Sequence, residues 1–219
     1  MGEGAYRAVL FDLDGTMVET ESLHLPTWTE ALRPHGIEVD EVLYRDRISG
    51  RGNAKIVGDL LPDLSDEEGR AVAEAKEADF RERAVDLEPL PGLVEFLEEV
   101  RRRGLDTAVV SNAPRENAAA VLRALGLDGG FGLIVLADDV GMGKPDPAPY
   151  RAAVERLGIA PSRALAFEDS VSGIASAVGA GIPTVGIAFT NDAAALREAG
   201  AFEVVEDFTD PRLRGLLDR

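Results

Sequence analysis

The chain has 219 residues, 45% of them hydrophobic and 29% charged, enough for one large domain or two small ones around an aliphatic core. Its 40 acidic residues against 23 basic ones give a formal charge of -17, so it repels a phosphate backbone and no nucleic-acid partner is expected. The absence of cysteine excludes disulfides, thiol nucleophiles and thiolate metal sites, and no apolar run reaches membrane-spanning length, so no membrane partner is expected either.

The first residues lead directly into an apolar stretch, with no basic flank or cleavage site. Met1-Gly2 would suit myristoylation, but Tyr6 stands where Ser or Thr is needed, and the cytoplasm is the expected location. Residues 6–11 read as a buried strand that delivers Asp12 and Asp14, followed by Gly15 and Thr16. Residues i and i+2 of a strand share a face, so this spacing predicts a carboxylate pair at a strand end. Such a pair can hold a hard cation through oxygen, or divide the work of nucleophile and proton donor.

Residues 19–87 change character. Residues 23–32, 41–48 and 51–61 have helical spacing, and Ser65 with Glu68 forms a capping-box start for a long helix to about residue 84. From residue 90 onward helices and strands alternate. Strands are predicted at 107–111, 133–136, 164–168, 184–186 and 202–205. Helices are predicted at 93–103, 115–125, 148–157, 171–178, 193–199 and 211–217. This alternation implies right-handed βαβ units, a parallel sheet and helices on both faces. The expected fold is therefore α/β. A Rossmann-like, doubly wound parallel core is built from residues 1–17 and 88–219, with an inserted all-α module over 18–87.

Ligands of open parallel sheets bind at the carboxyl ends of the strands. There the chain delivers Asp12 and Asp14, then Ser111 and Asn112, then Lys144 within Gly143-Lys144-Pro145, then Glu168-Asp169-Ser170. Four acids, a hydroxyl, an amide and an ammonium are what a metal-assisted phosphoryl transfer needs. Each piece alone has a plainer explanation: a turn after a strand, a loop lysine, an acidic helix start. Four of them in order, at strand ends of one sheet, are specific.

The set Asp12-Leu13-Asp14-Gly15-Thr16, Ser111-Asn112, Gly143-Lys144-Pro145-Asp146-Pro147 and Glu168-Asp169-Ser170 with Gly173 resembles the haloacid dehalogenase superfamily. The resemblance is to its phosphatase and β-phosphoglucomutase-like branch with a small α-helical cap, and it spans nearly the whole chain. It implies that Asp12 is the nucleophile and forms an aspartyl-phosphate. Asp14 would be the general acid/base, and its backbone carbonyl a Mg2+ ligand. Ser111 and Lys144 would hold the phosphoryl oxygens, with Asn112 beside the substrate. Asp169 would bind Mg2+, with Glu168 either on the ion or one layer behind it. Members that cleave carbon–halogen bonds or phosphonates lack an acid at the Asp14 position, so phosphate esters are expected here. In the cap, the substrate-binding candidates are Arg51, which stands where sugar-phosphate relatives carry a basic residue facing the substrate, and His24, which stands where β-phosphoglucomutase-like members have a histidine. The plain alternative for Arg51 is a surface arginine at a helix start. Trp28 reads as cap core.

The expected activity is a Mg2+-dependent phosphomonoesterase acting on a small phosphorylated metabolite, with a sugar phosphate as one option, in a monomeric protein. A phosphomutase of the β-phosphoglucomutase type is the first alternative. Residues 80–83 show no clear counterpart of the substrate-facing lysine of such mutases, which favours hydrolysis. A non-catalytic phosphate-binding protein on the same fold is the second alternative, and retention of all four motifs argues against it.

Overall fold

A computed structural model describes residues 6–218. Residues 1–5 and 219, with the Met1-Gly2 pair and the outer ends of the expected core domain, lie outside that description. The chain forms two compact units. One takes the segment up to Glu19 and everything from Leu87 onward; the other is Thr20–Asp86.

The first unit is a six-stranded, all-parallel sheet: β1 (Ala8–Phe11), β2 (Asp106–Ser111), β3 (Leu133–Leu136), β4 (Ala164–Glu168), β5 (Thr184–Ile187) and β6 (Glu203–Val205). Their order is β3-β2-β1-β4-β5-β6, so the chain reverses its direction of winding beside β1. That reversal places a crevice at the carboxyl ends of β1 and its neighbours. The register sets Leu10 beside Ala108 and Ala166, and Phe11 beside Val109 and Phe167.

β1 and β4 are buried along their whole length because helices cover both faces. Alternation then sorts the side chains. On one face Leu10, Val110 and Ala166 pack with Tyr150 and Val154. On the other, Phe11 stacks on Phe167 at 5.4 Å between ring centroids, and Phe96 and Phe208 close the cluster. The residues that directly precede Asp12 and Glu168 are thus locked aromatic rings.

The helices of this unit, numbered after four in the other, are α5 (Leu93–Arg102), α6 (Arg115–Ala124), α7 (Ala137–Val140), α8 (Ala148–Leu157), α9 (Val171–Gly179), α10 (Ala193–Glu198) and α11 (Arg212–Leu216). Strand and helix positions agree with the sequence reading to within a few residues. Only α7 and two 3-10 turns, Arg33–His35 and Pro161–Arg163, have no counterpart in it. A single turn offers no periodicity to detect.

The second unit holds α1 (Glu21–Leu32), α2 (Glu41–Arg47), α3 (Asn53–Leu60) and α4 (Asp66–Arg83). The Ser65–Glu68 capping box starts α4 as read from the sequence. Trp28 is buried among Leu32, Tyr44, Ile48, Ile56 and Val57, as expected of a core residue. The helix expected from residue 51 begins at Asn53, because Gly50 takes a left-handed conformation (φ 70°) and Gly52 an extended one before it. Among the described residues no helix is long and apolar enough to cross a membrane.

Candidate active site

β1 ends at Phe11, and the chain turns at once. Gly15 accommodates the turn at φ 83°, where a Cβ would also lie 2.2 Å from Asp169 Oδ2. The strand therefore does not continue to Asp14. The shared-face expectation for Asp12 and Asp14 is corrected: Asp12 is buried at the strand end, while Asp14 is half-buried in the loop, where it bridges to Val18.

Lys144 reaches this point from the loop after β3. Its ammonium is bound by the Asp12 carboxylate, by Glu168 Oε1 at 2.5 Å and by the Val110 carbonyl at 2.7 Å. The loop is fixed by Asn112. Its Oδ1 accepts from the Lys144 backbone N–H at 2.9 Å and its Nδ2 donates to the Lys144 carbonyl at 3.2 Å. The amide assigned to the substrate by sequence thus clamps the lysine's backbone. A Cβ on Gly143 would come within 2.9 Å of Asn112 Oδ1, so the adjacent residue must be small. Ser111 is buried, and its Oγ accepts from the Ala113 N–H at 3.0 Å.

β4 supplies the remaining acids. Glu168 has the parity of Ala164 and Ala166, so it faces α8, where the Tyr150 hydroxyl donates to its Oε1 at 2.7 Å. Asp169 accepts from Thr16 Oγ1 at 3.2 Å and from Asn191 Nδ2 at 2.9 Å. Asp12, Glu168 and Asp169 are all buried and can each point one oxygen to within 4.8 Å of the others. Asp14 contributes no carboxylate to this group.

The electrostatics follow from crowding three acids and one ammonium out of water. Burial raises the Glu168 carboxyl to about 7; Lys144 opposes this and Asp12 adds to it. Burial, with Asp12 and Glu168 alongside, pushes Asp169 well above the usual carboxylate range. Burial alone would lower the Lys144 ammonium, but Asp12 and Glu168 outweigh it and push it up. The site is thus short of positive charge. The donor set is three hard oxygen ligands with no sulfur, which suits Mg2+.

His24 and Arg51, the two residues of the helical unit assigned to the substrate by sequence, are both engaged inside that unit. Arg51 pairs with Asp59 and donates to the Arg47 carbonyl at 2.8 Å. His24 stacks on Phe80 at 4.6 Å, and its Nδ1 lies 3.0 Å from Lys76 Nζ. Lys76 is buried, 3.0 Å from Glu77 Oε1, with its ammonium over the Trp28 and Phe80 rings. The sequence reading found no lysine near the end of this helix; α4 carries one about a turn earlier. That lysine is buried inside the unit, beside Glu77 and His24.

Burial, then the Lys76 charge, lowers His24 from 6.5 to about 3, with Glu77 opposing. The folded state thus resists protonating this ring. Its contribution to stability is complete above the unfolded value of 6.5 and is lost as pH falls from there towards 3. Between about pH 7 and about pH 4.5 the wild-type melting temperature is expected to drop about 5–10 °C further than that of His24→Gln. Parallel melting curves for the two proteins across that range would rule the effect out.

Sequence reasoning missed Tyr150, Asn191 and Lys76, and quoted Thr16 without a role. Strand parity could have paired Glu168 with the helix after Lys144. Nothing local marks Asn191, which lies in a loop 22 residues beyond Asp169.

A protein-family model described as a haloacid dehalogenase-like hydrolase matches residues 6–181. The chain is 34% identical to validoxylamine A 7'-phosphate phosphatase of Streptomyces hygroscopicus subsp. limoneus, covering 94% of this chain and 96% of that protein. It is 35% identical to a phosphorylated carbohydrates phosphatase of Thermotoga maritima, over 91% and 94% of the two chains. The crystal structure of CbbY from Rhodobacter sphaeroides in complex with phosphate superposes with a TM-score of 0.84 at 28% identity, over 94% of this chain and 96% of that one.

Proposed function

The chain belongs to the haloacid dehalogenase-like hydrolases, and on that premise we propose that it is a Mg2+-dependent phosphatase of small phosphorylated carbohydrates, working through an aspartyl-phosphate. One observation carries the reading: the Lys144 ammonium is held between Asp12 and Glu168, beside a buried three-carboxylate group, at the carboxyl ends of adjacent strands. The relatives' names, both phosphatases of phosphorylated carbohydrate-like compounds, support the substrate class and favour hydrolysis over phosphoryl return to a sugar.

In the proposed reaction the Asp12 carboxylate oxygen attacks phosphorus. The bond from phosphorus to the ester oxygen breaks, and Asp14 gives that oxygen its proton. Water then attacks the acyl-phosphate phosphorus, Asp14 takes the water's proton, and Asp12 leaves as carboxylate with release of inorganic phosphate. Lys144 and Ser111 stabilise the phosphoryl oxygens, and Asn112 keeps Lys144 in place. Asp12 and Asp169, with the Asp14 carbonyl and Glu168, would hold Mg2+, which supplies charge neutralisation at the phosphoryl group. Thr16 and Asn191 orient Asp169. The helical unit is assigned the role of the family's cap, with His24 and Arg51 as its substrate-selecting candidates, in a cytoplasmic monomer.

Purified protein is expected to release inorganic phosphate from members of a sugar-phosphate panel. EDTA should lower the rate by about a thousandfold, Mg2+ should restore it and Ca2+ should restore it poorly. Undiminished turnover after metal stripping, or an isomerised sugar phosphate formed faster than phosphate, would overturn the reading.

A further inference from the structure

Tyr150 heads the fully buried side chains by volume. Its ring packs with Leu10, Val110 and Val154 in the core, a task that phenylalanine would perform equally well. A buried hydroxyl is costly to desolvate unless it finds a partner, so its position calls for a reason. The hydroxyl donates to Glu168 Oε1 at 2.7 Å. The Lys144 ammonium meets the same oxygen at 2.5 Å and lies 5.2 Å from the centre of the Tyr150 ring.

Glu168 is closed in from the other side as well. A Cβ on Gly173 would fall 1.8 Å from Oε2, so the α9 backbone abuts the carboxylate directly. Ser170 Oγ stands 3.5 Å from the same oxygen. The turn that leads into helix α8, which carries Tyr150, is tied to α9 by the Ser176 hydroxyl, which donates to the Asp146 carbonyl at 2.5 Å. Lys144 divides its three donors among Asp12, Glu168 and the Val110 carbonyl. The tyrosine hydroxyl is a second, neutral donor that holds Glu168 while the ammonium is divided.

We propose that Tyr150 is a positioning residue for the three-acid group, its hydroxyl fixing the Glu168 carboxylate and through it the affinity for the divalent cation. This inference rests on the Mg2+ reading above. It concerns the cation site before any substrate arrives, so binding can be measured without turnover.

The test is calorimetric titration of Mg2+ into the full chain without substrate. Tyr150→Phe keeps the ring and removes one hydroxyl. Its Kd for Mg2+ should rise about tenfold, as when an outer partner of a metal ligand is lost. Val154→Ala, which loosens the same core away from Glu168, should melt lower yet keep the wild-type Kd. An unchanged Kd in Tyr150→Phe, an equal rise in Val154→Ala, or a Tyr150→Phe chain that does not fold would each overturn the positioning role. Failure of the wild type to bind Mg2+ at all would instead sink the metal reading on which the inference rests.

Discussion

Asp12→Asn is expected to abolish turnover while the fold survives. The substitution is nearly isosteric, and the backbone at this position is held independently of the side chain: the Asp12 N–H donates to the Phe167 carbonyl at 3.0 Å, and the preceding Phe11 ring is stacked on Phe167. The chemistry, in contrast, depends wholly on the carboxylate. An amide is a poor nucleophile and a weak partner for a hard cation. It also leaves the Lys144 ammonium with one carboxylate, Glu168, where it had two. Loss of a covalent nucleophile costs on the order of four or more decades in kcat. Phosphate release within tenfold of wild type, from a variant with an unchanged circular dichroism spectrum, would remove Asp12 from the nucleophile's role.

Lys144→Met should be nearly as damaging, and for a different reason. The methionine fills a similar volume, so packing beside Tyr150 is kept. What disappears is the cation among Asp12, Glu168 and Asp169, all of them buried. Removing one partner of a buried charge cluster destabilises by about 3–5 kcal/mol, because the remaining charges have no compensation. Loss of a preorganised positive charge beside a phosphoryl group costs a further factor of about 10^2–10^3 in kcat. Two measurements separate these effects. Denaturant titration should show the variant much weaker than wild type in EDTA and partly restored by Mg2+, since a cation that binds only the folded state stabilises it. Steady-state kinetics at saturating Mg2+ should still show the kcat deficit. A variant as stable as wild type in EDTA would mean that the acids do not burden one another and that Lys144 is not their counter-charge.

Local signals settled much of this protein from its sequence. Runs such as Ala164–Glu168, alternating with helices that start after Ser170 or Pro147, announce a parallel sheet because hydrophobic period and cap chemistry are local properties. The capping box at Ser65 and Glu68 was legible for the same reason. Strand ends then brought Asp12, Ser111, Lys144, Glu168 and Asp169 to one edge, since in a parallel sheet every carboxyl end points the same way. Packing between distant segments decided the rest. Lys144 lies 132 residues from Asp12, and its place between that acid and Glu168 depends on β1 standing next to β4. Lys76 meets His24 across 52 residues only because α1 and α4 pack together. The strand stops at Phe11, so Asp14 leaves the face that simple alternation gives it. Tyr150 and Asn191 make hydrogen bonds that hold a site residue and belong to no motif, and Asn112, which does belong to one, holds the Lys144 backbone. Residue type and spacing fix which groups reach the edge; which of them touch is fixed by strand order and side-chain packing, and no local pattern encodes those.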